Sequence, residues 1–127
     1  MLKLKTIPLE AHHDRRGLLL GNSSKNMGKQ IRHFFIATIN PGESRGNHYH
    51  HHKKEWFIIL GGKARMDLTD IADKKRKSYI IDSDEHLAYE MPPKIIHAIK
   101  NISKKPIILI ALVNEFLDKN NPDTSYI

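Results

Sequence analysis

Apolar residues along the chain come in short runs that alternate with polar residues, and turn-forming residues separate the runs. A strand places successive side chains on opposite faces, so these runs predict β-strands. The predicted strands cover residues 2–7, 18–20, 31–39, 45–50, 55–60, 64–68, 78–81, 87–91, 95–99 and 107–113. Residues 21–30 are predicted to be a polar loop. The tail from residue 120 is predicted to be loosely held.

Short strands with regular turn signals are typical of all-β architectures. The one segment that favours a helix is a turn or two near residues 114–119. A chain of 127 residues is long enough for one hydrophobic core. We therefore expect an all-β fold, a jelly-roll barrel that forms a single domain over residues 1–127.

Histidines concentrate in one part of the chain, where four of the nine fall within residues 48–52. On a strand, His48 and His50 point to the same face. Glu55 lies an odd number of positions beyond both, so the chain must bend or bulge near residues 53–54 before the next strand begins. Two imidazoles and a carboxylate are the beginning of a metal site.

A fourth ligand must come from elsewhere, and His97 is the best candidate. It follows a Pro-Pro turn and lies in the strand predicted at residues 95–99. The chain has no cysteine, so neither thiolate ligands nor disulfides are available. Three histidines and a glutamate suit a divalent transition metal. Zinc is favoured, and iron, manganese, nickel or cobalt are alternatives.

The chain is basic, with a formal net charge of +7 and a pI near 9.7, which favours an anionic ligand or partner. Nucleic acid is not expected, because there is no helix-turn-helix pattern and the basic residues are not interleaved with aromatics. The densest cluster, residues 74–77, is predicted to be the solvated tip of a hairpin. The same positive charge would also favour a smaller anionic ligand, such as a nucleotide diphosphate.

The first residues of the chain lack the apolar segment of a signal peptide. No apolar run approaches the roughly 20 residues that a membrane span needs. We therefore expect a soluble, cytoplasmic protein that has no membrane partner.

The histidine-rich stretch resembles the first cupin motif. That motif reads Gly, five residues, His-x-His, four residues, Glu, six residues, Gly. The chain has Gly42, His48, His50, Glu55 and Gly62 at this spacing. The resemblance implies a cupin jelly roll with its metal ligands at these histidines and this glutamate.

The second cupin motif, Pro-x-Gly-x-x-His-x-x-x-Asn, is also present. Pro92, His97 and Asn101 match it. Lys94 stands where the motif has glycine, which affects the geometry of the turn rather than the ligand. Two motifs in the right order make the resemblance specific.

The resemblance extends to particular cupins. Residues 32–62 and the tail 113–124 are similar to the C-terminal cupin domain of bifunctional UDP-sugar epimerase/reductases of capsular polysaccharide synthesis. The turn Asp14-x-Arg16-Gly17 resembles one in deoxysugar cupins such as the dTDP-4-keto-6-deoxyhexose 3,4-ketoisomerases. The reductase half is not matched, so the resemblance implies only the chemistry of the cupin.

That chemistry is a metal-dependent epimerisation or isomerisation next to the ketone of a 4-keto-6-deoxyhexose nucleotide, in surface polysaccharide biosynthesis. A proton α to a carbonyl becomes removable when a Lewis acid stabilises the developing enolate. A base must then remove the proton and an acid must return it. Return to the same carbon gives an epimer and return to the neighbouring carbon gives a keto isomer. The sequence leaves both outcomes open.

Other site residues are assigned by type and position. The guanidinium of Arg45, just before the ligand strand, is predicted to grip the diphosphate of the nucleotide sugar, with a surface salt bridge as the alternative. Candidates for the acid and base are Tyr49, His51, Glu115 and Tyr89. Tyr49 and His51 alternate with the ligands, so they should face away from the metal unless the bend re-aims His51.

Related cupins pair through their sheets, and the apolar run at residues 107–113 suits burial on both faces. A homodimer is therefore expected, although a buried central strand would give the same pattern. Two other functions stay open. A small-molecule dioxygenase would use iron with the same ligands and would consume oxygen. A non-catalytic sugar- or metal-binding module would bind its ligand without exchanging substrate protons with solvent.

Overall fold

The apolar runs form two antiparallel sheets. The computed structural model describes residues 2–120 and 122–126. In spatial order, the first sheet contains β2 (Gly17–Asn22), β1 (Lys5–Asp14), β8 (Leu87–Met91), β5 (Glu55–Leu60), β10 (Ile107–Val113) and β3 (His33–Ile39). The second contains β11 (Thr124–Tyr126), β4 (Ser44–His50), β9 (Ile95–Asn101), β6 (Lys63–Asp70) and β7 (Arg76–Asp82). These sheets confirm the predicted all-β jelly roll.

The main hydrophobic core lies between the two sheets, and strand alternation explains its composition. In β6, Ala64, Met66 and Leu68 are buried, whereas the residues between them are partly exposed. Phe57 and Ile59 enter the same core from β5. Each fully buried side chain of this size contributes about 1.5–3 kcal/mol. The core therefore fixes the positions of β5 and β9, and strand pairing holds β4 beside β9; these three strands carry the histidine and glutamate motifs.

Residues 25–30 are helical, which corrects the predicted polar loop. In α1 (Lys25–Gln30), the Ser24 side chain caps the first turn by accepting the Met27 N–H at 3.1 Å. Met27 is buried against Trp56 and Ala88 on the outer face of the first sheet. The helix predicted near residues 114–119 is wrong, because these residues form bends, a turn and irregular chain. In the described part of the chain, no helix is long and apolar enough to cross a membrane.

The tail is not loosely held where the structure describes it. β11 pairs antiparallel with β4, so that Thr124 lies opposite His50 and Tyr126 lies opposite His48. Two residues of the predicted loose tail, 121 and 127, lie outside the described residues. β11 is thus an edge strand of the second sheet and lies beside the strand with the histidines.

The predicted turns at the two hairpin tips are present. Asp14 begins the turn between β1 and β2, and its carboxylate accepts the Arg16 N–H at 2.8 Å. The basic cluster lies at the exposed tip between β6 and β7, where the Lys74 N–H donates to the Asp70 carbonyl at 2.9 Å. The lysines of that tip are therefore solvated, as the sequence predicted.

Lys94, the residue that departs from the second cupin motif, keeps the backbone conformation that glycine would take. Its φ is +67°, in the left-handed region, and its N–H donates to the His50 carbonyl at 2.7 Å. A residue with a Cβ costs about 1–2 kcal/mol in this region. The departure from the motif thus strains the turn without changing its path.

Lys94→Gly is expected to raise the free energy of unfolding by about 0.5–1 kcal/mol, because relief of the strain exceeds the added freedom of the unfolded chain. Urea unfolding measures this change. Lys104→Gly is the control, since Lys104 is exposed and is not among the residues with positive φ; it should lower stability. A loss of stability in Lys94→Gly would show that contacts of the lysine side chain outweigh the strain.

Candidate metal centre and substrate cavity

Four side chains from three strands converge at one end of the barrel. His48 and His50 come from β4, Glu55 begins β5 and His97 lies in β9. One ligand atom from each residue lies within 4.8 Å of the others. His48 and His97 are directly opposite each other in the pairing of β4 with β9. The group predicted from spacing is therefore brought together, across both sheets.

A β-bulge in β4 sets the direction in which the side chains of His48 and His50 point. The register with β9 shifts between Gly46 and His48, and Asn47 has a φ of +57°. Gly46 has a φ of +107°, and a Cβ there would lie 2.5 Å from the His97 carbonyl oxygen. The expected bend between the motif's histidines and Glu55 is also present, because β4 ends at His50 and β5 begins at Glu55. The bulge itself was not predicted.

Backbone carbonyls fix the tautomers of two histidines. His50 Nδ1 lies 3.3 Å from the Asp123 carbonyl oxygen, and His97 Nδ1 lies 3.2 Å from the Ile95 carbonyl oxygen. A carbonyl can only accept, so both Nδ1 atoms carry the proton. Each Nε2 then has a free lone pair. This is the arrangement that metal-binding histidines usually have.

Two buried polar atoms of the group have no hydrogen-bond partner in the part of the chain that the structure describes, namely His48 Nδ1 and Glu55 Oε1. His50 Nε2 lies 2.6 Å from Glu55 Oε1, but the approach lacks the geometry of a hydrogen bond. A bound cation would satisfy His48 Nδ1 and Glu55 Oε1, so these residues fit a divalent transition metal.

Burial favours the neutral form of the imidazoles of His48 and His97 by lowering their pKa values. It lowers the pKa of His97 to about 4, against the opposing effect of Glu55. Burial and the neighbouring His50 lower the pKa of His48. For Glu55, burial acts to raise the pKa, but the contacts with His50 and His97 outweigh it and the pKa is lowered. Neutral imidazoles beside an ionised carboxylate are the protonation state that metal binding requires.

A cavity of about 320 Å³ opens above this group, and His48, Glu55 and His97 are part of its lining. The side walls are largely apolar and are formed by Phe35, Phe57, Ile99 and Leu109. A larger depression of about 430 Å³ lies around Arg65 and Arg76 of the second sheet, but it contains none of the four converging side chains. We therefore take the smaller cavity, which contains the candidate metal ligands, as the candidate active site.

Polar side chains also line this cavity. Arg45 lies on its wall, and its Nε donates to the Thr38 carbonyl at 3.0 Å. Tyr126 is 76% exposed and packs edge-on against His48, with ring centroids 5.4 Å apart. Ser44 adds a hydroxyl. Tyr126 was not predicted as a site residue, because its position depends on the long-range pairing of β11 with β4.

The four acid and base candidates lie outside the lining of this cavity. Tyr49 packs against His51, with ring centroids 5.1 Å apart. His51 and Glu115 border a separate depression of about 340 Å³. Tyr89 is 5% exposed and packs in the core, where burial, then Glu85 and Asp82, raise its pKa to about 12. Their roles as acid or base stay predictions.

Asp123 fastens the loop between β4 and β5, a role that the sequence did not reveal. Its carboxylate accepts the backbone N–H groups of His51, His52 and Lys53 at 3.1, 2.7 and 2.8 Å. Burial acts to raise the pKa of Asp123, but these hydrogen bonds outweigh it and the pKa is lowered. Asp123 therefore links the tail to the segment between the ligands His50 and Glu55.

Comparison with known families gives one match that covers most of the chain. The sequence profile of the polysaccharide biosynthesis C-terminal domain matches residues 12–125. A curated relative from Pseudomonas aeruginosa, UDP-2-acetamido-2,6-beta-L-arabino-hexul-4-ose reductase, is 32% identical over 91 residues, which are 72% of this chain and 24% of that protein. The chain thus spans about a quarter of the length of that relative.

Solved structures show the same fold. CapF, a capsular polysaccharide assembling protein from Staphylococcus aureus, is 27% identical with a TM-score of 0.73, covering 94% of this chain and 34% of CapF. A mutant of the 3,4-ketoisomerase QdtA from Thermoanaerobacterium thermosaccharolyticum, solved in complex with TDP-4-keto-6-deoxyglucose, is 19% identical with a TM-score of 0.81, covering 100% of this chain and 90% of that chain. These matches agree with the resemblance drawn from the two histidine motifs.

Proposed function

Because the chain belongs to the polysaccharide biosynthesis C-terminal domain family, we propose that it is a sugar-nucleotide epimerase or isomerase. Its substrate would be a nucleotide-linked 4-keto-6-deoxyhexose, and its reaction the removal and return of a proton next to the ketone. The observation that carries this proposal is the convergence of His48, His50, Glu55 and His97 at a cavity with an arginine on its wall. QdtA, which shares the fold, was solved with a substrate of this class.

We assign His48, His50, Glu55 and His97 as ligands of a divalent metal ion, with zinc favoured. When bound, such an ion supplies Lewis-acid stabilisation of the charge that develops on a carbonyl oxygen. The residues themselves hold the site ready. His50 and His97 keep their protons on Nδ1, toward backbone carbonyls, and leave Nε2 free. Burial keeps His97 neutral, so it does not repel a cation.

Different parts of the cavity wall suit different groups of a nucleotide sugar. The guanidinium of Arg45 suits the diphosphate, which it can grip with two parallel hydrogen bonds. Phe35 and Phe57 suit the apolar face of the sugar ring and its methyl group, and they exclude water from the reacting carbon. The hydroxyls of Ser44 and Tyr126 can donate to sugar oxygens. The candidates for the acid and the base remain Tyr49, His51, Glu115 and Tyr89, as the sequence predicts.

Turnover tests the proposal. The zinc-loaded protein is incubated with UDP- and dTDP-linked 4-keto-6-deoxyhexoses, and the sugars are followed by proton NMR. We expect a new set of ring couplings from one of these substrates, whose pattern identifies an epimer or a 3,4-keto isomer. Spectra that stay unchanged for all of these sugars after prolonged incubation would contradict the proposal.

We also propose a homodimer, formed through β3 and its neighbours. β3 is an edge strand without charged residues, and Phe34 and Ile36 on it are each 61% exposed. Ile36 lies opposite Ile110, which in turn lies opposite Ile58, so the apolar surface continues across three strands. An uncharged edge and an apolar face together favour pairing with a second copy.

Ile36→Lys is expected to convert the dimer to a monomer, because it places a charge in the middle of this surface. Sedimentation velocity at micromolar concentration measures the change. Ile80→Lys is the matched control, since Ile80 is 62% exposed on β7, an edge strand of the other sheet. A wild-type protein that sediments as a monomer, or an Ile36→Lys variant that remains a dimer, would contradict the proposal.

A further inference from the structure

We propose that β11 completes the metal centre, with Thr124 as a positioning residue for the ligand His50, so that metal binding and the docking of β11 onto β4 strengthen each other. This inference rests on the metal ligands of the proposed function. It goes beyond them in assigning a role to the last described strand of the chain, which provides none of the four ligands.

The contacts of His50 carry the inference. Its Nδ1 lies 3.1 Å from Thr124 Oγ1 and 3.3 Å from the Asp123 carbonyl oxygen. Both oxygens belong to the chain segment that forms or precedes β11. The carbonyl can only accept, so Nδ1 donates, and the hydroxyl of Thr124 is a second acceptor for the same proton. These two oxygens therefore set the tautomer of His50 and the direction of its Nε2.

The segment that contains β11 also contacts the chain before and after His50. Asp123 accepts three backbone N–H groups from the loop that follows His50. On the other side, the ring of Tyr126 packs edge-on against the ligand His48. Thr124 and Tyr126 lie directly opposite the two ligands in the strand pairing. A displacement of β11 would thus release both histidines of β4 at once.

The coupling should be mutual. β11 has only three residues and pairs with one strand at the edge of its sheet, so its docking is weak by itself. The metal ion binds best when His50 has the orientation that it takes while β11 is paired with β4. The free energy by which this pairing strengthens metal binding must therefore equal the free energy by which metal binding stabilises the pairing. Partners that orient a ligand histidine typically change metal affinity by about 10–100-fold.

Thr124→Val tests the role in positioning, because it removes the hydroxyl and keeps the shape of the side chain. Zinc affinity is measured by competition with a chromophoric chelator, and the geometry of the site by the visible spectrum of the cobalt-loaded protein. We expect zinc affinity to fall about tenfold and the cobalt bands to shift. Ser125→Ala is the matched control, because Ser125 Oγ contacts His51 at 2.9 Å rather than a ligand. Its affinity and spectrum should equal those of the wild type.

Hydrogen exchange tests the reverse direction of the coupling. Amide exchange of residues 124–126 is compared in the metal-free and the zinc-loaded wild-type protein. We expect zinc to slow exchange in this segment, while β7, at the opposite edge of the sheet, is unchanged.

The outcomes separate this inference from the proposed function. If the wild type binds zinc but Thr124→Val binds it equally well with the same cobalt spectrum, the inference is overturned and the metal centre stands. Unchanged exchange of residues 124–126 on zinc binding would overturn it in the same way. If the wild type binds no zinc above the level of a His97→Ala variant, the metal centre itself fails, and the inference with it.

Discussion

Replacement of His97 by alanine is expected to remove tight metal binding and all metal-dependent isomerisation. His97 is 2% exposed, and its Nε2 lies 3.7 Å from Glu55 Oε1. Among the described residues that line the cavity, the one other imidazole belongs to His48, which is already a ligand and cannot replace it. The loss of affinity should exceed the roughly 10–100-fold effect of removing an orienting partner, because a ligand itself is lost. Zinc titration and turnover measure the two effects.

The control for this change is His52→Ala. His52 is exposed, lies in the same histidine-rich stretch and borders a different depression. It should leave zinc affinity and turnover at the wild-type level. If His97→Ala retained wild-type affinity, or if His52→Ala lost it, the ion would be held by the exposed histidines and the assignment of the ligands would be wrong.

Gly46→Ala is expected to unfold the end of the barrel at which the ligands meet. A Cβ at this position would lie 2.5 Å from the His97 carbonyl oxygen and 3.2 Å from Ala98 Cα, so β9 would have to move. The φ of +107° adds the strain of the left-handed region. We expect the free energy of unfolding to fall by about 3 kcal/mol or more, with loss of tight zinc binding. Urea unfolding and zinc titration test this.

Gly42→Ala separates strain from collision. Gly42 has a φ of +80°, but a Cβ there would meet no atom within 4 Å. Its cost should be limited to the conformational strain, about 1–2 kcal/mol, and zinc affinity should be unchanged. If Gly46→Ala and Gly42→Ala changed stability and zinc affinity equally, the collision with β9 would not be the reason that residue 46 is a glycine.

The sequence predicts much of this fold because its strands carry their own signal. Glu55–Leu60, Leu87–Met91 and Ile107–Val113 have the bounds predicted from apolar alternation. The His-x-His spacing likewise places His48 and His50 on one face, since that depends only on the geometry of a strand. The convergence of these histidines with Glu55 and His97 could be predicted only from the resemblance to the two cupin motifs, because it depends on strands that are distant in the sequence.

The parts that were not predicted depend on long-range packing. α1 contains one apolar residue, Met27, so its amphipathic pattern is too short to detect, and its burial against Trp56 is decided by tertiary contact. β11 forms in a polar tail because β4 offers an edge and Asp123 fastens the loop beside it. The bulge at Gly46 is invisible in the alternation, although the glycine is the residue that permits it.

Solvent exchange tests most directly whether this cavity is a site of metal-assisted proton transfer. The zinc-loaded protein is incubated in D₂O with UDP- and dTDP-linked 4-keto-6-deoxyhexoses, and the C3 proton is followed by NMR, which detects enolisation even where the equilibrium favours the substrate. We predict that deuterium enters at C3, and that a chelator or His97→Ala abolishes this. A C3 proton that persists with every such sugar in the zinc-loaded wild type would contradict it and would leave the dioxygenase and the non-catalytic binding module as the remaining functions.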